Sequence, residues 1–513
     1  MTAQLDTIPP ELLNLVLDEL DGETPPSTRL KAFHALSLVS KTLQAAATPF
    51  LYKTHHLLNQ GKRSTQLVNS VCRNPDLAKY VRCIHFAADQ ERAERPPTWD
   101  DIQVLGIASA PLKALPVYGV IGLALGSGCY TALSLLLVSL STQLLSLHVD
   151  LRQHSVESLV ADPVPAMATA VVTPQGSQRC KCCPDVAHCL EAFFKCEQLR
   201  NGYKRLTEIC PVGKGVDAFA AVLGFMHVPS LQTLACEGFG SALRSYGWRD
   251  ASVISNVACL KLECGFILVD DLAGILKCCK GLRELDLEWD FGTVYAETWP
   301  WPARPPGFNV PSIFAALQPH AMTLERLSMM DGAGDTRTFR SKVDTLQDFH
   351  TLRKLAIDAE ILIGKGTWAS TSLKLPPNLT GLTIHMPGSL EDLPDVCDAL
   401  ARARSETLRD VLLAFPVMDG VNEDWHNASG TLRTGIGRTD DVGEKKWAYG
   451  LYHDEEDEDG DHSGLNFRCY GSSLWDGLEN MSEVMRTLGV RWLFSREAHW
   501  SEVTTSCRYP VMW

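Results

Sequence analysis

The chain has 513 residues, of which 45% are hydrophobic and 21% charged, a balance that excludes a disordered protein and leaves room for several domains. Its formal charge of -14 comes from 61 acidic residues against 47 Lys and Arg, and the cations do not cluster. Nucleic-acid binding, which needs concentrated positive charge, is therefore not expected, and neither is attachment to anionic membranes.

The first twenty residues carry acids inside their apolar pattern and have no basic leading segment, so they do not read as a secretory signal. Pro9 and Pro10 suit the start of a helix, where N–H groups have no acceptor, and Glu11 favours the positive end of the helix dipole. Leu12, Leu13, Val16, Leu17 and Leu20 then recur at helical spacing. Asp21-Gly22 and Thr24-Pro25-Pro26-Ser27 mark a stop and a loop. A second helical stretch runs from Thr28 to Leu43, with a break expected near Phe33–Leu36 and an end at Pro49. A three-helix unit of about 45 residues buries little apolar area alone, so it fits a docking module.

The phrases Ile8-Pro9-Pro10-Glu11-Leu12-Leu13 and Leu36-Ser37-Leu38-Val39-Ser40-Lys41, with Val16, Leu17 and Leu20 between them, resemble the F-box motif. The closing Ala47-Thr48-Pro49-Phe50-Leu51-Tyr52 is similar to the form common in filamentous fungi. The resemblance covers about a tenth of the chain, at residues 1–55. It implies a substrate-recognition adaptor of a Skp1-cullin-F-box ubiquitin ligase, without catalysis of its own. It further implies that Pro9, Leu13, Leu17, Leu36, Val39 and Lys41 meet Skp1, with a cullin scaffold beyond.

Residues 56–225 form a linker with degenerate early repeats of mixed helical character. Within them, Val117–Leu147 carries no charge and is long enough to span a membrane, but Gly126-Ser127-Gly128 and the serines after it interrupt the run. The expectation is a packed helix pair followed by a buried strand, with no membrane span.

Seventeen cysteines, some as neighbours such as Cys182–Cys183 and Cys278–Cys279, read as reduced core thiols of a cytoplasmic or nuclear protein. Cys180, Cys183, His188, Cys189 and Cys196 are the one group with ligand types suited to zinc. No second C-x2-C completes the set, so no metal and no cofactor is expected.

From 226 to 418 the phrase LxxLxL recurs. Its copies start at Leu231, Leu260, Leu282, Leu324, Leu352, Leu379 and Leu408, and an earlier one starts at Leu144. The last four starts stand 28, 27 and 29 residues apart, the length of a strand, turn, helix and loop. Val269–Cys278, Pro311–Leu317 and Leu393–Ala403 have helical spacing between copies. This resembles the irregular leucine-rich repeats that follow many F-boxes. The expected fold is α/β: the three-helix module followed by a horseshoe-like solenoid. Its concave strand face is the default surface for an unidentified protein substrate, through Arg283, Glu284, Asp286, Arg326, Arg353, Lys354 and His385.

Residues 419–513 form a capping region. It holds the acidic run Asp454–Asp461, read as a solvated loop, and then Trp475, Trp492, Phe494, Trp500, Tyr509 and Trp513. No GxSxG, HExxH, P-loop or dinucleotide fingerprint occurs, so no enzyme is expected. The alternative to a ligase adaptor is a leucine-rich-repeat scaffold acting outside ubiquitination.

Overall fold

The computed structural model describes residues 8–23, 26–57, 61–87, 99–151, 186–215, 221–239 (except 223), 253–289 (except 266), 309–331, 342–363 (except 344), 373–385, 399, 403, 407–408, 410–415, 431–437, 446–452 and 491–494. They belong to an α/β chain that divides into two compact units, Met1–Trp301 and Pro302–Trp513.

The first unit opens with three helices, α1 (Pro10–Glu23), α2 (Pro26–Ser37) and α3 (Lys41–Leu51). Leu13 and Leu17 from α1, Phe33 from α2, and Leu43 and Ala47 from α3 form a closed core, with Phe50 stacked on Phe33 at 5.0 Å. Two sequence expectations are corrected here. The break falls at Leu38–Ser40, because the Ser40 side chain accepts a hydrogen bond from the Leu43 N–H at 3.2 Å and so starts a new helix. Pro49 does not end α3; only two residues of helix follow it, so little ladder is lost.

Seven parallel strands follow in chain order: β1 (Thr54–Leu57), β2 (Cys83–Ala87), β3 (Ser146–Asp150), β4 (Glu208–Gly215), β5 (Thr233–Phe239), β6 (Cys259–Gly265) and β7 (Glu284–Trp289). Alternation sets one face of each strand inward: Ile84, Leu147, Ile209, Leu234, Leu260 and Leu285 share one buried row. One device sets the register. The carbonyl of the residue ahead of each strand takes two N–H groups from the next: Lys53 O from Arg82 and Cys83, Arg82 O from Leu145 and Ser146, Leu145 O from Thr207 and Glu208. Thr207 O, Gln232 O and Ala258 O repeat it. At Gly238 φ is +70° and an added Cβ would lie 2.4 Å from Gly213 O, so only glycine fits where the β4–β5 register shifts.

The apolar stretch before β3 is α5 (Trp99–Ala108), α6 (Tyr118–Gly126) and α7 (Tyr130–Leu140). α7 is buried from Thr131 to Ser139 and packs on α4 (Gly61–Arg73) and β2. Gly128 (φ +74°) makes the turn between α6 and α7. The sequence expectation of a helix pair and a strand holds, and among the described residues no helix is long and apolar enough to cross a membrane. Beyond β3, α8 (Val186–Lys195) carries Phe193 and Phe194 into an aromatic cluster with Tyr203 and Phe225. The buried Tyr203 hydroxyl donates to the Val138 carbonyl at the end of α7.

The second unit holds β8 (Arg326–Asp331), β9 (Lys354–Asp358), β10 (Gly381–His385) and β11 (Asp410–Phe415), all parallel. Arg326, Lys354, Gly381 and Asp410 stand in register, the spacing read from the leucines. β12 (Thr431–Gly437) then pairs antiparallel with β11 and with β13 (Lys446–Tyr452), and β14 (Arg491–Phe494) runs parallel to β13. Asp454–Asp461, Trp475, Trp500, Tyr509 and Trp513 lie outside the described residues.

Polar side chains immediately ahead of the repeat phrase tie neighbouring repeats in both units. Ser230 Oγ donates to Tyr203 O and Leu206 O, Asn256 to Pro229 O, Thr351 Oγ1 to Ala321 O and Leu324 O, and Asn378 to His350 O. Thr407 Oγ1 likewise bonds Pro377 O and Leu379 O. Thr351→Val keeps the shape and removes the hydrogen-bond donor, so a loss of about 1–3 kcal/mol is expected, read as a lower urea midpoint.

Candidate functional sites

The residues assigned to Skp1 by resemblance separate into two groups. Leu13 and Leu17 are 4% and 1% exposed; they are the core of the three-helix unit and present no surface. This corrects the expectation that they form a contact face: both lie on the α1 side that meets Phe33 and Leu43. Pro9, Val39 and Lys41 are exposed and Leu36 is half-buried against the core. The sequence reading named Val39 but did not assign the other large apolar side chains that face solvent here to the contact. Leu12, Leu15 and Val16 form a stripe on α1, 53%, 64% and 59% exposed, and Leu38 and Val39 in the α2–α3 turn are 74% and 65% exposed. Helical spacing places Leu12, Val16, Leu13 and Leu17 on one continuous arc of α1, so it does not tell which edge of that arc faces inward.

The polar face of the β1–β7 sheet has two chemical zones. On β5–β7, Asp286, Lys261, Glu288 and Glu237 all act electrostatically on Glu263, and Asp286 Oδ1 is buried without a hydrogen-bond partner. Burial, then the charge of Asp286, with Glu288 and Glu237 adding to it and Lys261 opposing, raises the Glu263 carboxyl above its ordinary range. Folding therefore takes up a proton at Glu263 between the unfolded and folded values, and stability falls as pH rises through that window. Glu263→Gln is expected to be more stable than the parent at neutral pH. It should match the parent well below the usual carboxylate range, as read by urea midpoints at several pH values.

The second zone lies on β2–β4. Register aligns Cys83, Ser146 and Glu208 in one row, and His85, His148 and Cys210 in the next. Cys83 Sγ lies 3.0 Å from His85 Nε2 and 3.2 Å from Ser146 Oγ, and Ser146 Oγ is 3.0 Å from His148 Nε2. The two imidazoles stack at 4.0 Å with 7° between planes. Burial, more than any other influence, pushes the Cys83 thiol up; its Ser146 hydrogen bond opposes this and Glu208 adds to it. Sequence reading missed this group because C-x-H on β2 and H-x-D on β3 are 63 residues apart at Cys83 and Ser146. The available signal was that Val81-x-x-Ile84-x-Phe86 and Leu144-x-x-Leu147-x-Val149 are the same phrase, with His at the same place.

The sequence-derived zinc candidates are not brought together among the described residues. Cys180 and Cys183 lie outside them, as does the His188 side chain. Cys189 is buried in α8 at 1% exposure, and Cys196 precedes α9 (Glu197–Arg200). The described cysteines are free thiols, and burial pushes Cys72 and Cys279 up to about 12.

Of the residues expected to contact a substrate, Glu284 and Asp286 lie on the polar face of β7, while Arg283 stands one residue ahead of the strand, exposed. In the second unit Arg326 and Lys354 are side by side and exposed, Arg353 precedes β9, and His385 pairs in register with Asp358. No protein-family model matches the chain, and no curated protein matches it in sequence.

Proposed function

We propose that the chain is a non-catalytic adaptor: its three N-terminal helices are an F-box that docks on Skp1, and its strand ladder is a leucine-rich-repeat body that holds a protein substrate. The observation that carries this reading is the cluster of exposed apolar side chains on a unit that already has a closed core. Leu12, Leu15, Val16, Leu38 and Val39 are each at least half exposed within 28 positions. A folded three-helix unit gains nothing from such a surface unless a partner covers it. The motif phrases supply the partner's class. The parallel run β8–β11, with one copy of the phrase per strand, supports the repeat reading.

The test is direct titration of the full-length chain with purified Skp1. Val16→Glu combined with Val39→Glu is expected to weaken binding at least tenfold while the thermal transition stays in place. Absence of measurable binding by the parent chain would sink the reading. Retention of full affinity by the double variant would move the contact elsewhere.

A further inference from the structure

We propose that Cys83, His85 and His148 form a zinc site on the polar face of β2 and β3. The inference does not depend on the adaptor reading, since it rests only on the pairing of β2 with β3 and on the side chains that this pairing brings together.

Each of the three offers one ligand atom, and these atoms lie within 4.8 Å of one another. Zinc bonds thiolate sulfur at about 2.3 Å and imidazole nitrogen at about 2.0–2.1 Å, so tetrahedral ligand atoms stand roughly 3.3–3.8 Å apart. The Cys83 Sγ–His85 Nε2 distance of 3.0 Å is close to that range, and binding turns the stacked rings of His85 and His148 so that both in-plane nitrogen lone pairs meet the ion. The donor set of one thiol and two imidazoles suits zinc better than calcium or magnesium, which take oxygen ligands.

Two further features favour the site. Ser146 Oγ, within hydrogen-bond distance of both Cys83 Sγ and His148 Nε2, is placed to orient them. His148 also belongs to a second candidate set with Glu208 and Cys210, so acceptors of positive charge continue onto β4. Binding replaces the Cys83 S–H bond with an S–Zn bond and releases that proton to solvent. One thiolate against Zn2+ leaves one positive charge, which the nearby Glu208 carboxylate offsets. Three protein ligands leave the fourth position to water.

The experiment measures metal in the tag-free full-length chain after equilibrium dialysis against zinc, followed by cobalt substitution. The expected result is one tightly bound zinc, and with cobalt the intense visible bands and thiolate charge transfer of a tetrahedral thiolate site. Cys83→Ser and His148→Gln should each weaken zinc about 100-fold or more, beyond the 10–100-fold typical of losing an outer-shell partner. Cys180→Ser combined with Cys183→Ser should leave it unchanged. His85→Gln serves as an independent third variant, and unchanged urea midpoints of the metal-free variants show that they fold. No tight zinc in the parent chain would overturn the proposal. So would zinc retained by both Cys83→Ser and His148→Gln, or zinc lost only in the Cys180/Cys183 variant.

Discussion

Leu17→Ala is expected to melt the N-terminal three-helix unit while leaving the strand ladder folded. Leu17 is 1% exposed and packs in a core made of only five fully buried residues, Leu13, Leu17, Phe33, Leu43 and Ala47. Removing a buried leucine side chain costs about 2–5 kcal/mol. A unit of about 45 residues rarely holds more than a few kcal/mol of its own. The ion pairs from Asp21 to Arg29 and Lys53 link α1 to α2 and to the start of β1, but partly exposed pairs add little. Hydrogen exchange should show protection lost over residues 10–51 and kept in β3–β7. Full protection of α1 in the variant would mean that the unit is stabilised from outside its own core. The contrast with Val16→Glu matters for the adaptor reading. A charged residue at Leu13 or Leu17 abolishes binding by unfolding and says nothing about contact, whereas Val16, 59% exposed, reports on contact alone.

Phe194→Ala is expected to be the most damaging single change in the first unit. Phe194 is fully buried and meets three rings, Phe193 at 4.9 Å, Tyr203 at 5.7 Å and Phe225 at 5.3 Å. Truncating a buried phenylalanine costs about 3–5 kcal/mol, and edge-to-face contacts add about 0.5–1.5 kcal/mol each. The neighbourhood cannot close over the space. An added Cβ at Gly224 would already come within 2.6 Å of the Glu191 backbone, so α8 and the helical backbone at Gly224 are at their closest approach. The measurement is the urea midpoint together with near-ultraviolet circular dichroism, which reports on the aromatic cluster. A loss below about 1 kcal/mol would mean that this cluster is not the core of the unit.

These two sites also mark how far the sequence could be read. The second unit was legible because β8, β9 and β10 carry leucine at the first two positions of the phrase and the phrase returns every 27–29 residues, so Leu327, Leu355 and Leu382 fell into one row. β2 and β4 were harder to see. Their inward residues include Val81, Ile84, Ile209 and Pro211 in place of the leucines of the phrase. In the N-terminal unit the motif residues were identified, but a motif does not say which side of a helix faces inward. The Cys83, His85 and His148 group could not be assembled from spacing, because it exists only once two strands distant in sequence pair in register.

The carbonyl that accepts two amides ahead of β1–β6, β8 and β9 has a consequence for how such a chain can change. Between Cys83 and Ser146 the chain spends 63 residues, and between Cys259 and Glu284 only 25, yet both pairs sit in the same register. The alignment is set locally at the strand's first residues, so the length of the connection is nearly free: doubling a flexible loop costs only about 0.6 kcal/mol. A one-residue change inside a strand is a different matter, since it turns every inward side chain outward. Connections between such strands can therefore lengthen, shorten or acquire new sequence at little energetic penalty, whereas the few residues at the strand starts are held fixed.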